Sequence, residues 1–227
     1  WNLRAGSELM NFSSAKTLPM NLNSSTSLFN SVSYLSWYEK QFVQLGFRYQ
    51  IRAPWLISGE LEYRQRSPLS NVVDYGWYKQ ENRFRPNYPI SSEIQDTRFV
   101  QHEQLSLGMR VTWQPGSTWR LYNSIRRLSN PENAPKVQFE SQWVVGNYGF
   151  AKIGFQLDQT INLNRLGKLA YQLRYDEFLV KPQIYLDYTH FNGNELNLIS
   201  SVPFGFSALP MYQFSTGNRS LVFHAKW

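Results

Sequence analysis

His102, His190 and His224 are the three histidines of the chain, and with no cysteine present they are the first residues to test for chemistry. They stand far apart, without the His-x-His or His-x-x-x-His spacing that aims two imidazoles at one ion. No metal site is expected, and no cofactor. A hydrolase would need a nucleophilic serine within hydrogen-bond reach of a histidine. His102 and Ser106 share a strand face, but four residues of strand set them about 13 Å apart. His102 is expected instead as a solvated residue near the base of a loop. No Gly-x-Ser-x-Gly elbow or glycine-rich phosphate loop occurs. Glu60 and Glu62 share a strand face, a spacing that suits paired carboxylates. Arg48, Arg64 and Arg110 fall on the same face of nearby strands, which favours cross-strand ion pairing. No enzyme is expected.

The elements that must position these charges are strands. In "QLSLGMRVTWQPGSTWRLYNSI" (Gln104 to Ile125), Leu105, Leu107, Met109, Val111 and Trp113 alternate with Ser106, Gly108, Arg110 and Thr112. Period two is the mark of a β-strand, and the Pro-Gly turn at Gln114 to Ser117 predicts a hairpin into Trp119 and Leu121. The same alternation recurs from Val43 to Ile51, Trp55 to Tyr63, Val137 to Trp143, Ala151 to Leu157, Leu169 to Tyr175 and Leu221 to Trp227. Trp1 to Leu9 is a weaker candidate strand, and the parity of Leu28 to Trp37 is ambiguous. Turns are tight at Ala53-Pro54 and Gln114 to Ser117. On the other rim lies a long polar excursion, about residues 67–100.

Which face is buried decides the class. Several strands alternate over about nine residues or more, the length that crosses a bilayer when tilted. Trp37, Trp55, Tyr63, Trp113, Trp119 and Trp143 sit at strand ends, as interfacial girdles do. The polar face carries Arg, Glu, Gln and Lys in mid-strand, which a dry core would not tolerate. The apolar face is therefore expected to meet lipid. The fold class expected is all-β: an antiparallel transmembrane β-barrel of the outer-membrane type, with residues 1–227 part of a single barrel domain. Lumen-facing charges would be Arg48, Arg64, Arg110, Arg120, Lys152 and Arg174, with Glu60, Glu62 and Glu140 interleaved as partners. On this parity, arginine should be tolerated at Gln104 and Gln156 and not at Leu107 or Phe155.

Bulk properties fit. The 227 residues carry a formal charge of +7, with 16% aromatic and only 17% charged residues. Polarity comes from Ser, Asn, Gln and Thr. No apolar run of about 18 residues suggests a transmembrane helix. The basic residues are spread one or two per strand rather than clustered, so no nucleic-acid partner is expected. The chain opens Trp1-Asn2-Leu3 without an initiator Met, and a mature product or a fragment is expected.

Several short stretches resemble a known family. "WYEKQF" (Trp37 to Phe42, with Tyr38, Glu39 and Lys40) is similar to its Leu-Tyr-Glu-Lys motif. "EYRQRSPLSNVVDYGW" (Glu62 to Trp77) resembles its Arg-x-Pro-Leu-x-Asn strand end. "NRLGKLAYQLRY" (Asn164 to Tyr175) resembles its Leu-Gly-x-Leu-x-Tyr strand. "THFNGN", with Asn192, Gly193 and Asn194, and "YQFSTGNRSLVFHAKW", with Arg219 and His224, resemble its Gly-Asn turn and closing segment. The family is a bacteroidete group of uncharacterised outer-membrane barrels that carry a carboxypeptidase-regulatory-like domain before the barrel, distantly similar to the Omp85 class. Asn218 stands where the family has Asp, and His224 alone remains of a His-rich segment. In the family more strands follow, so an incomplete barrel is expected here.

The resemblance implies localisation in the bacterial outer membrane. Its partners would be membrane lipid and lipopolysaccharide, together with other outer-membrane or periplasmic proteins. The function expected is a non-enzymatic barrel that assists assembly or export, or serves as a scaffold subunit of an envelope complex. The alternatives are a passive or gated channel for small anionic solutes and a soluble carbohydrate-binding β protein. By the resemblance, Lys181 to Asn194 folds into the lumen or caps it; the plain alternative is a strand and an ordinary surface loop, and the sequence leaves both open.

Overall fold

A computed structural model describes residues 1–12, 36–70, 87–88, 97–122, 125–131, 133–188 and 217–226. Ten strands are described: β1 (Asn2–Asn11), β2 (Trp37–Arg52), β3 (Trp55–Pro68), β4 (His102–Trp113), β5 (Thr118–Tyr122), β6 (Ile125–Ser129), β7 (Lys136–Gly146), β8 (Phe150–Asn162), β9 (Lys168–Val180) and β10 (Arg219–Lys226). Eight of them form one sheet in the order β1-β2-β3-β4-β7-β8-β9-β10, while β5 and β6 form a separate pair. Every pairing is antiparallel. Among the described residues, β1 and β10 are the two edges of the sheet.

The strand pattern follows the alternation closely. β1, weak by sequence, pairs with β2 along its whole length. The expected hairpin across Gln114 to Ser117 does not form. β4 pairs with β7, and β5 turns away to pair with β6. Length explains the choice: β7 offers eleven residues to match β4, and β5 offers five. The turn itself redirects the chain. Pro115 has no N–H to give a ladder, Gly116 takes φ +77, and the Ser117 hydroxyl donates to the Gln114 carbonyl at 2.8 Å. The Ser117 hydroxyl also contacts the Asn130 side-chain oxygen at 2.9 Å, which ties the neck of the β5–β6 hairpin.

The two faces of the large sheet are inverted relative to a water-soluble domain. Val43, Leu45, Leu61, Tyr63, Leu105, Leu107, Phe139, Trp143, Leu221 and Phe223 are exposed. Glu62, Arg64, Arg66, Gln104, Ser106, Gln138, Lys152 and Asp176 are buried. The register aligns the apolar positions into a band. Val43, Tyr63, Leu105 and Val145 stand side by side at one edge; Trp55, Trp113 and Val137 stand side by side at the other. The nine-residue runs between them measure about 27 Å along the strand. Beyond the first edge the same outer face turns polar, with Glu39, Gln41, Gln65 and Glu103. At the second edge, Trp55 and Trp113 pack with ring centroids 6.0 Å apart.

The sheet curls around its polar face. One cavity of about 670 Å³ is lined by side chains of β1 to β4 and β7 to β9, from Asn2 through Arg48 and Arg110 to Arg174. A flat sheet could not place those residues around one space, because neighbouring strands add about 4.8 Å each.

The rims differ, though less simply than the sequence suggests. One carries the Ala53-Pro54 and Leu163–Gly167 turns and the β5–β6 hairpin. The other carries the tight β7–β8 turn as well as the long connections. Most of residues 67–100 lies outside the described residues.

Candidate functional site: a filled polar interior

The long-loop end of the interior is closed by the chain that follows β9. Residues 181–188 run back across the opening and make a single 3-10 turn at Tyr185–Asp187. Ile184, Leu186 and Tyr188 are buried with Phe12, Tyr38, Phe99, Val144, Phe150 and Phe178. Phe12 meets Tyr38 and Phe99 at 5.6 Å, and Phe178 meets Tyr188 at 5.7 Å, in tilted or edge-on pairs that suit aromatic quadrupoles. Burial pushes the phenol of Tyr188 above its ordinary value. Of the readings of Lys181 to Asn194, the described part, residues 181–188, lies as a cap over one end of the polar face, and residues 189–194 lie outside the described residues.

Asp187 is the polar anchor of this stopper. Its carboxylate accepts from Arg66 Nη1 at 2.5 Å and from Gln104 Nε2 at 3.2 Å. Gln104 also donates to the Tyr148 carbonyl at 2.9 Å and accepts from Arg64 Nε at 3.0 Å. The network continues along the wall: Arg64 to Glu62 at 3.4 Å, Glu62 to Lys40 at 3.3 Å, Lys40 to Glu8 at 2.8 Å. Four strands and the stopper are thus tied by alternating charges. Burying these ions singly would be prohibitive; paired and hydrogen-bonded they are tolerated. Arg64 Nη2, Arg66 Nε and His102 Nε2 have no partner among the described residues.

A second group lies deeper. Lys152 and Asp176 pair at 3.1 Å, and Arg174 reaches the same carboxylate at 2.7 Å. Gly154 keeps this place open: a Cβ there would stand 3.0 Å from the Asp176 carboxylate. Nearer the short-turn rim, Arg110 Nε pairs with Glu140 at 2.6 Å in a more exposed setting.

The charges expected on the inner face fall in different places. Arg64, Arg110, Lys152, Arg174, Glu62 and Glu140 line the interior and are paired. Arg48 and Glu60 line it without an ion pair among the described residues. Arg120 is a correction: it sits exposed on β5, outside the large sheet, because the hairpin left the ladder. His102 is another. It is 2% exposed, its Nδ1 lies 2.8 Å from the Val100 carbonyl, and it packs edge-on against Phe99 and Tyr148.

The motif residues separate. Tyr38 joins the aromatic cluster and Lys40 the wall network. Glu39 points to the outer face, where it accepts from the Ser7 hydroxyl at 2.8 Å. Arg219 pairs with Glu177 on the outer face at 2.7 Å. His224 is exposed on β10 opposite Gln172. Asn192, Gly193 and Asn194 lie outside the described residues. Among the described residues no group of three or more His, Asp or Glu could hold a metal.

Asp187 and Gln104 carry no motif that marks them as site residues in the sequence. The signal existed for one of them. Ile184, Leu186 and Tyr188 alternate around an acid, which in a strand would set Asp187 on the opposite face. The 3-10 turn buries all four together.

These features define an all-β protein built on one large curled antiparallel sheet, with an apolar outer band and an inner side of paired charges capped by an aromatic cluster. The whole chain, residues 1–227, matches the C-terminal domain of a family of unknown function (DUF5686), and it belongs to that family. No curated protein and no solved structure matches it.

Proposed function

We propose that the chain is part of a transmembrane β-barrel of the bacterial outer membrane. Its role there is non-enzymatic, as an assembly, export or scaffold subunit of an envelope complex. The observation that carries this reading is the register-aligned apolar band on the outside of a sheet whose charges are inside. Water would not stabilise that arrangement. A bilayer would, because the outer-membrane type needs an apolar belt about 25 Å tall, flanked by aromatic residues, around a polar interior. Trp55 and Trp113 mark one border of the belt; Tyr63 lies at the other, with Trp143 one row inside it. The long connections would then face the cell exterior, and the turns at Ala53-Pro54 and Leu163–Gly167 the periplasm. Membrane lipid, lipopolysaccharide and neighbouring envelope proteins are the partners this placement implies.

The scaffold reading is preferred over an anion channel because the stopper and the paired charges fill the long-loop end. On the channel reading, Arg110→Glu would shift the reversal potential of a steady conductance. On the scaffold reading the same change sets two acids side by side and chiefly lowers stability.

The test is facing. Leu107→Arg and Phe155→Arg place a cation against lipid, at a cost of about 2–4 kcal/mol near the midplane, and should abolish heat-modifiable, membrane-inserted protein. Gln172→Arg, inside and opposite Asp158, should insert normally. Gln104→Arg no longer serves as the tolerated control, because Gln104 is 1% exposed and bonded to Arg64. Equal insertion of the lipid-facing and interior variants, or a product soluble without detergent, would sink the proposal.

A further inference from the structure

The short-turn half of the interior is chemically unlike the stoppered half. A second cavity of about 540 Å³ opens there, sharing Arg48, Ser58 and Arg110 with the first. Its cations are Arg48, Arg110 and Lys136, and no carboxylate lines it. Arg48, Ser58 and Arg110 form one register row across β2, β3 and β4. Adjacent strands are about 4.8 Å apart, so the two arginine Cα atoms stand about 10 Å apart with the serine hydroxyl between them. That separation lets two long guanidinium side chains converge above Ser58.

Their commitments are unequal. Arg110 is held by Glu140 through Nε, which leaves the terminal nitrogens of its fork for another partner. Arg48 makes no ion pair or hydrogen bond among the described residues. Elsewhere in the interior Lys40, Arg64, Arg66, Lys152 and Arg174 are tied to acids. Glu140, next in the row and bonded to Arg110, and Glu60 line the adjoining first cavity, so the solvent-accessible Arg48 is a cation left uncommitted among the described residues, and an unpaired guanidinium beside a second cation concentrates anions.

We propose that Arg48, Ser58 and Arg110 form a binding site for a phosphate group, entered from the short-turn rim. A phosphate dianion fits better than a carboxylate because it offers three acceptor oxygens to two guanidinium forks and a hydroxyl donor. The group could be carried by a small soluble molecule or by a lipid headgroup. The proposal concerns the interior of this fold and holds whether the band outside meets lipid or a protein partner.

The experiment is titration calorimetry of the full-length protein in maltoside micelles with sodium pyrophosphate, inorganic phosphate and acetate. Saturable binding of the phosphates, weakened by salt and at least about tenfold tighter than acetate, is expected. Arg48→Gln should weaken it about tenfold or more and Ser58→Ala about threefold. Arg120→Gln, on the hairpin outside the sheet, should leave it unchanged. Arg48 has no partner to lose among the described residues, so its variant should keep the wild-type circular dichroism and thermal midpoint. Displacement of pyrophosphate by short-chain phosphatidic acid would assign the group to a lipid; displacement only by phosphorylated sugars would assign it to a solute. Absence of binding, equal binding of acetate, or wild-type affinity in a folded Arg48→Gln protein would overturn the site.

Discussion

Asp187 holds the stopper to the wall through a single carboxylate, so its removal should be costly. Asp187→Ala leaves the Arg66 guanidinium buried without its acid, and Gln104 Nε2 with the Tyr148 carbonyl as its remaining acceptor. Breaking a buried pair from one side typically costs about 3–5 kcal/mol. The Arg110–Glu140 pair is half exposed, and Arg110→Gln should cost about 1 kcal/mol or less. Urea unfolding in micelles, followed by tryptophan fluorescence, would compare the two. A loss for Asp187→Ala no greater than for Arg110→Gln would show that the anchor carries no such load.

At the scale of the element, the stopper at residues 181–188 is a short segment held by Ile184, Leu186 and Tyr188 among aromatic rings. Truncating a buried Ile or Leu in such a cluster loses about 2–5 kcal/mol, whereas the strands around it keep their ladders. Ile184→Ser combined with Leu186→Ser should therefore free the segment without unfolding the sheet. Planar-bilayer recording should change from small, erratic events in the parent to a steady conductance in the double variant. An unchanged conductance, with the sheet intact by circular dichroism, would mean that residues 181–188 do not block the path.

For the whole molecule, the proposed orientation sets residues 67–100 outside the cell and Gln114 to Ser117 on the periplasmic side. A protease added to intact cells should cut within the first and spare the second; permeabilising the outer membrane should expose the Pro-Gly turn at the neck of the β5–β6 hairpin. Cleavage at Gln114 to Ser117 in intact cells would reverse the topology. Asn87 is one place where the excursion is fastened to the sheet. Its side chain bonds both the N–H and the carbonyl of Trp37 and the carbonyl of Leu69. Early cuts should accordingly fall away from Asn87.

Period-two alternation from Val43 to Ile51, Trp55 to Tyr63 and Leu105 to Trp113 determined by itself that the chain is all-β and which residues share a face. That information is local, because successive side chains in a strand must point to opposite sides. It also placed Arg64, Arg110, Lys152 and Glu140 on one face. Partner choice was not local. Whether β4 takes β5 or β7 depends on ladder length and on where the Pro-Gly turn sends the chain, and the nearer strand lost. Burial of His102 and Gln104 was equally illegible, since their cover comes from Tyr148 and from Asp187, 83 residues beyond Gln104 in the chain. The curling of the sheet decided how far the charged face is enclosed: Glu62, Arg64 and Lys152 are buried, while Arg48, Glu60 and Arg110 stay exposed. The alternation is the same either way, and the direction of curvature is a property of the strands together.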